Sequence, residues 1–214
     1  MRIYPIRFLL SLSIFMLNAS CNQYRHMQKI QSDESCVQKL KPVFSHVIYK
    51  ISVDVLGKHI SGLLLIKYMP DSSTRIVFSN EMGFSFFDFG FLTGNGFKVY
   101  QVVPQMNKKA LIKTLRKDFE LVMFRNMDSS KYYALSDSNL VYHAFPQSNG
   151  INYYITDPSC RQLIKMQRAS NKKPVMEAFM DKGSPGDSPD SISIRHLNFN
   201  YSISLKKVNP LAPE

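Results

Sequence analysis

The side chains in this chain that could take part in catalysis or metal binding are scattered rather than grouped. The histidines are well separated, and no zinc-peptidase, serine-hydrolase, phosphate-loop or dinucleotide-loop motif is present. Each of those chemistries needs partner side chains at a set spacing. We therefore predict no catalytic residues, no metal site and no cofactor, and we do not expect an enzyme. The histidines are His26, His46, His59, His143 and His196.

One carboxylate is unusual because of its surroundings. Asp88 interrupts the apolar run 84–91, which contains five phenylalanines. Burial of a carboxyl group in such a place would raise its pKa. Two arrangements avoid that cost: an ion pair with a lysine, or exposure to water at a curved edge of a sheet.

Three cysteines are the remaining residues that could take part in chemistry. The first of them, Cys21, stands at the end of a sequence pattern that is typical of exported proteins. Residues 1–7 are basic and residues 8–17 form an apolar run. This run fits the core of a signal peptide and is shorter than the about 20 residues that a membrane-spanning helix needs. Two small residues, Ala19 and Ser20, then precede Cys21. The pattern predicts an exported protein that is cut before residue 21.

The stretch 17–21, Leu-Asn-Ala-Ser-Cys, resembles the lipobox of bacterial lipoproteins, although Asn18 stands where an aliphatic residue is usual. The resemblance implies that residues 1–20 are a lipoprotein signal peptide. It also implies that acyl chains on Cys21 hold the mature protein to the outer membrane, because stable attachment needs more than one chain. A plain signal peptide followed by an incidental cysteine is the alternative.

The rest of the chain is predicted to form one domain behind a short tether. Residues 21–32 are polar and form the predicted lipidated tether, and the lack of an acidic run in them favours the periplasmic face of the membrane. No Pro-Gly linker divides residues 33–208, so we predict a single domain there. Residues 209–214 are predicted to be a flexible tail.

The other two cysteines are candidates for a disulfide. With Cys21 lipidated, Cys36 and Cys160 remain as a pair in an oxidising compartment. Two separate buried thiols are the alternative. A metal site at these positions is not expected, because no CxxC or paired-histidine spacing accompanies them.

The chain is strongly basic, with a formal net charge of +11. Such an excess suits nucleic acid, anionic lipid or simple solubility. Export argues against nucleic acid, so we predict no nucleic-acid partner. The densest group of basic residues, within 108–117, is interpreted as the solvated face of a helix.

Most of the chain has the pattern of β-strands, with two predicted helices. Residues 108–124 carry an apolar stripe and predict a long amphipathic helix, and residues between 32 and 42 predict a short one. Runs of β-branched and aromatic residues between turn signals predict an antiparallel meander, the helix, and a second run of strands. The predicted strands are 46–55, 60–69, 74–80, 84–91, 97–103, 131–136, 139–145, 151–156, 162–167, 173–180, 191–197 and 199–206.

Two stretches are apolar on both faces of the strand they predict, 63–66 and 84–91. A strand of this kind needs cover on both sides. The long helix would cover one side. In a curved, open sheet, a ligand could cover the opposite side of these strands.

The order of these features resembles the lipoprotein carrier and acceptor family of the bacterial envelope, the LolA/LolB-like fold. The stretches 61–66, 75–78 and 84–91 resemble that family's early strands. The resemblance covers most of the mature chain and implies a mainly β (α+β) protein. Its curved antiparallel sheet would form an unclosed barrel of about 11–12 strands around an apolar cavity with a helical lid.

The resemblance also implies a function, the binding of acyl chains or lipoproteins by a membrane-anchored acceptor. That acceptor has an apolar residue protruding from the turn between its third and fourth strands, which corresponds to Met82 here. An ordinary sheet–helix core is the alternative for the other apolar residues, and an interaction lipoprotein with a filled core and no ligand is then the alternative function. The predicted ligand-binding residues are Leu64, Ile66, Phe78, Met82, Phe84, Phe86, Phe89, Leu111, Leu115 and Phe119.

Overall fold

The computed structural model describes residues 23–137, 139–170, 172–181 and 187–208. The predicted signal peptide, the predicted lipidation site Cys21 and the predicted tail 209–214 lie outside the described residues. Within those ranges, no helix is long and apolar enough to cross a lipid bilayer.

The described parts of the chain contain thirteen β-strands, two α-helices and three 3₁₀ helices of three residues each. The helices are α1 (Ser35–Lys39) and α2 (Lys109–Val122). The strands are β1 (Gln28–Ile30), β2 (His46–Val55), β3 (Lys58–Tyr68), β4 (Thr74–Ser79), β5 (Ser85–Phe91), β6 (Phe97–Val102), β7 (Tyr133–Asp137), β8 (Leu140–Pro146), β9 (Ile151–Thr156), β10 (Leu163–Ala169), β11 (Pro174–Asp181), β12 (Ser191–His196) and β13 (Tyr201–Lys207).

All thirteen strands belong to one antiparallel sheet, which consists of two meanders. Strands β2 to β6 pair in chain order, and so do β7 to β13. The two meanders join where β13 pairs with β2, with Ile203 opposite Val53. The edge strands are β1, which pairs with β7, and β6, so the sheet is not closed. Helix α2 follows β6 in the chain and leads into the second meander.

The predicted mainly β class and the open antiparallel sheet are confirmed, with thirteen strands instead of 11–12. The extra strand, β1, lies inside the stretch 21–32 that was predicted to be a tether. Its three residues are too few to show an alternation of apolar and polar side chains. Its pairing with β7, where Lys29 lies opposite Leu135, defines it as a strand.

Burial alternates along the strands of the first meander. In β3, Leu64 and Ile66 are fully buried, whereas Leu63 and Leu65 are only half-buried. Successive side chains of a strand point to opposite faces. The inner face of this apolar strand is therefore completely covered, and its outer face is covered in part.

Two apolar clusters lie on opposite faces of the sheet. The larger one joins the inner face of the sheet to α2 and includes Tyr154 of β9. The smaller one includes its neighbour Tyr153, whose ring stacks on Tyr24 with centroids 4.7 Å apart. The backbone N–H of Gln23 also donates to the carbonyl oxygen of Lys172 at 3.0 Å. The segment just after the predicted lipidation site thus packs against the outer face of the sheet.

A disulfide joins Cys36 in α1 to Cys160 in the turn between β9 and β10. The two Cα atoms are 5.7 Å apart, and the residues are separated by 124 positions in the sequence. The bond ties the short first helix to the second meander. Val37, the next residue of α1, is fully buried in the larger cluster.

Candidate functional site

The turn between β4 and β5 presents two large apolar side chains to solvent. Met82 is 94% exposed and Phe84 is 57% exposed. The side-chain oxygen of Asn80 accepts hydrogen bonds from the backbone N–H groups of both residues, at 3.0 and 2.8 Å. Gly83, between them, has a φ of 86°, which glycine adopts at little cost. Local hydrogen bonds therefore hold Met82 in its protruding position.

A continuous row of aromatic rings runs from this turn into the interior. Phe84 contacts Phe86 edge to face at 5.9 Å, and Phe86 lies 4.7 Å from Phe78. Phe78 contacts Phe87 at 5.6 Å, and Phe87 stacks on Phe89 at 4.3 Å. Edge-to-face and offset contacts at these distances favour a well-defined arrangement of rings. We call these five residues the aromatic row.

Helix α2 covers the inner end of the aromatic row. Leu115 and Phe119 are 4% and 1% exposed, and the ring of Phe119 lies 6.2 Å from that of Phe87. Leu111, one turn before Leu115, is half-buried against the same cluster. The apolar stripe of the helix therefore faces the sheet, and its basic residues face away or sideways.

The structure divides the ten predicted ligand-binding residues into three groups. Six are buried in one cluster, two are half-buried against it, and two are exposed on the β4–β5 turn. None of the ten lines any of the four best-defined cavities that described residues form. The six buried residues therefore pack on one another and on α2. They are Leu64, Ile66, Phe78, Phe89, Leu115 and Phe119; the half-buried pair is Phe86 and Leu111.

Polar contacts also link α2 to the sheet. Asp118 is completely buried. Its Oδ1 accepts from Nη1 of Arg168 in β10 at 2.8 Å, and its Oδ2 lies 2.9 Å from Nε2 of His196 in β12. The hydroxyl of Tyr154 donates to the carbonyl oxygen of Leu121 at 3.1 Å. A buried carboxylate is tolerated only when it is paired in this way.

Sequence reasoning did not single out Asp118, although a signal for it exists. Asp118 lies three residues after Leu115 and four before Val122, on the apolar stripe of the helix. A charge at such a position predicts either a solvent-facing turn or a buried partner. His196, one of the separated histidines, is 3% exposed and contacts this carboxylate.

The unusual carboxylate Asp88 pairs with an arginine rather than a lysine. Arg75, on the neighbouring strand β4, donates from Nε to Oδ1 of Asp88 at 2.8 Å and makes a second contact to Oδ2. The guanidinium also lies over the ring of Tyr100, 3.7 Å from its centroid. The hydrogen bond to Asp88 raises the pKa of Arg75 above its usual range. The ion pair with Arg75 thus balances the negative charge that Asp88 places on an otherwise apolar strand.

The remaining titratable groups do not assemble a metal site within the part of the chain that the structure describes. His143 is buried, 2.8 Å from the Tyr132 hydroxyl and 3.2 Å from that of Thr156. Burial lowers the pKa of His143 to about 4, so the ring is neutral at pH 7. Its Nε2 is also 3.4 Å from Sγ of Cys36, which places the histidine beside the disulfide.

Comparisons with known proteins give matches among solved structures. No protein-family model and no curated protein matches this chain. The chain is similar to a DUF1329 family protein from Desulfovibrio piger, with 9% identity, 97% of this chain and 92% of that chain covered, and a TM-score of 0.44.

Two further structures are similar to this chain. An outer membrane lipoprotein-sorting protein domain from Vibrio parahaemolyticus has 7% identity over 85% of this chain and 92% of its own, with a TM-score of 0.44. A LolA superfamily protein from Nitrosomonas europaea has 8% identity over 86% of this chain and 96% of its own, with a TM-score of 0.48.

Proposed function

We propose that this chain is a lipid-anchored protein of the bacterial outer membrane that faces the periplasm and binds acyl chains of a lipid or a lipoprotein. The aromatic row is the observation that carries the proposal. It connects an exposed apolar turn to the space between the sheet and α2 without a polar interruption. Flexible apolar chains are bound by surfaces of this composition.

The exposed turn supports a role at an apolar surface. Single exposed apolar residues are common in soluble proteins and need no explanation. Here Met82 and Phe84 stand on one turn, and the side-chain oxygen of Asn80 restrains that turn by accepting from the backbone N–H groups of both residues. A rigid apolar tip loses little conformational entropy when it enters a lipid surface or takes up an acyl chain.

An acyl chain can reach the inner end of the row only when α2 moves away from the sheet. The six buried residues occupy the space between the two layers, so a ligand must replace their contacts with its own. Opening of α2 would also break its polar contacts with the sheet, those of Asp118 with Arg168 and His196 and that of Leu121 with Tyr154. We propose that Leu111, Leu115 and Phe119 line the bound chain in the opened state.

A second function is favoured by the same packing. The tight burial of Leu64, Phe78 and Phe89 is also what a filled core needs. The protein would then be an interaction lipoprotein of the envelope that binds a protein partner and no acyl chain.

A titration of the delipidated full-length mature protein with a fluorescent fatty acid separates the two functions. Acyl binding predicts saturable fluorescence enhancement that unlabelled palmitate displaces. The absence of saturable uptake, together with a protein partner recovered by crosslinking, would establish the second function. Mass spectrometry of the membrane-extracted protein tests the anchor separately, and an unmodified residue 21 would contradict it.

A further inference from the structure

A small polar cavity of about 260 Å³ lies beside α2, away from the aromatic row. Lys113, Arg116 and Lys117 of the helix form one wall, and Asn152 of β9 and Arg168 of β10 form another. Glu120, Asn126 and the loop residues 147–149 complete the lining. We call this space the basic cavity. Pockets for drug-sized ligands measure about 300–1,000 Å³, so this one suits a headgroup rather than a whole lipid.

Positive charge in the basic cavity exceeds negative charge. Arg116 pairs with Glu120 at 2.7 Å, and Arg168 pairs with the buried Asp118 at 2.8 Å. Lys113 and Lys117 form no ion pair with any described residue.

The neighbouring positive charges affect Lys117 in particular. Burial lowers the pKa of Lys117 below its usual range, and the nearby charges of Arg168 and Lys113 lower it further, against an opposite effect of Glu120. An anion in the cavity would relieve this repulsion, because four cationic side chains and only one carboxylate, Glu120, line the space.

The uncharged wall of the cavity offers polar atoms that the described residues leave unpaired. Asn152 is only 6% exposed, and its Oδ1 has no hydrogen-bond partner among them. Oδ1 of Asn126 is also buried and has no hydrogen-bond partner among the described residues. Buried amide oxygens of this kind are costly, and a small rotation of either side chain, both of which line the cavity, would bring its oxygen to a ligand that donates a hydrogen bond.

We propose that the basic cavity binds a phosphate ester that carries a free hydroxyl group, such as a glycerol phosphate. The phosphate oxygens accept from Lys113 and Lys117, and the hydroxyl donates to Asn152 or Asn126. Charge-assisted contacts of cationic side chains to phosphate are among the stronger hydrogen bonds in proteins. Such a group occurs free in solution and as the headgroup of a phospholipid. The proposal does not depend on acyl binding, because the site lies outside the aromatic row.

Calorimetric titration of the full mature protein with glycerol 3-phosphate tests this site. We expect saturable binding, tighter than that of sulfate, which carries similar charge and no hydroxyl donor. Lys117→Met should weaken binding about tenfold, the loss expected for one charge-assisted contact. Lys109→Met is the matched control, because Lys109 is exposed on the same helix and does not line the cavity. It should leave binding unchanged.

Vesicles distinguish the two sources of the group. Flotation with phosphatidylglycerol vesicles that depends on Lys117, and that glycerol 3-phosphate inhibits, identifies a lipid headgroup. Binding of glycerol 3-phosphate alone identifies a free ester. No saturable binding in either experiment, or equal losses in Lys117→Met and Lys109→Met, would overturn the proposal. Fatty-acid uptake should be unchanged in Lys117→Met, so failure here is separable from failure of acyl binding.

Discussion

Asp118 of α2 and His196 of β12 form a buried contact, with Oδ2 and Nε2 2.9 Å apart. The second oxygen of Asp118 is occupied by Arg168. One carboxylate therefore links the helix to two strands of the second meander, while Phe119, the next residue, packs against the first meander. The two meanders are bridged at this point of the helix.

Asp118→Ala should strongly destabilise the protein. The change leaves Arg168 and His196 without their buried partner, and breaking a buried ion pair from one side costs about 3–5 kcal/mol. Urea unfolding followed by circular dichroism measures the loss. Asp54→Ala is a matched control, because Asp54 forms an Asp–His pair with His59 that is about 60% exposed. A loss for Asp118→Ala no larger than that for the surface pair would show that the buried link is dispensable.

The free energy of unfolding should fall as the pH drops from about 6.5 to about 4. Burial holds the pKa of His143 at about 4, below its unfolded value of 6.5. In this interval the unfolded state binds the proton and the folded state does not, so acidification favours unfolding. The pKa difference corresponds to about 3 kcal/mol at the acid end. His143→Gln should reduce this dependence when urea unfolding is compared at pH 7 and pH 4.5.

The exposed His59 provides the control for that experiment. It stands on the surface beside Asp54, and His59→Gln should leave the acid-induced loss as large as in the native protein. Equal pH profiles for the native protein and His143→Gln would assign the loss to other groups.

Met82→Glu should weaken fatty-acid binding about tenfold. The substitution places a charge on the tip of the β4–β5 turn, and the lost apolar contact corresponds to about 1.5 kcal/mol. Fluorescence titration measures the change. Leu56→Glu is the control, because Leu56 is 77% exposed on the β2–β3 turn and lies outside the aromatic row. Similar losses in both variants would point to general charge repulsion instead of a specific entry point.

Reduction of the disulfide should lower stability by about 4–5 kcal/mol. The bond between Cys36 and Cys160 closes a loop of more than 100 residues, and loop closure of that length restricts the unfolded chain by about this amount. Urea unfolding with and without dithiothreitol measures the effect. The double variant Cys36→Ser/Cys160→Ser should be insensitive to the reductant, and an equal response to it would assign the effect elsewhere.

Local sequence patterns were sufficient to locate twelve of the thirteen strands in the described ranges. Each of the twelve has five or more residues, which is enough for alternation or a run of β-branched side chains to appear. β1 has three and shows no such pattern. The pairing of β13 with β2 was not predictable either, since it joins residues about 150 positions apart and leaves no local trace.

The candidate site was harder to predict than the fold for a chemical reason. Leu64, Phe78 and Phe119 are suited equally to the wall of an apolar cavity and to the interior of a core, and composition does not separate these two. The pairing of Asp88 with Arg75 shows the same ambiguity for charges. A carboxylate on an apolar strand predicts some compensating group, but the identity of that group depends on the register of the neighbouring strand.

The stacking of Tyr24 on Tyr153 determines how freely an anchored domain could move. Gln23 is already bound to the sheet, and only two peptide units separate it from residue 21, a reach of about 7 Å. A lipid on Cys21 would therefore keep the domain within a short distance of the membrane surface. The domain would lie against the bilayer with the Tyr24 side facing it. Its orientation would follow the membrane surface, and it would not move far into the periplasm.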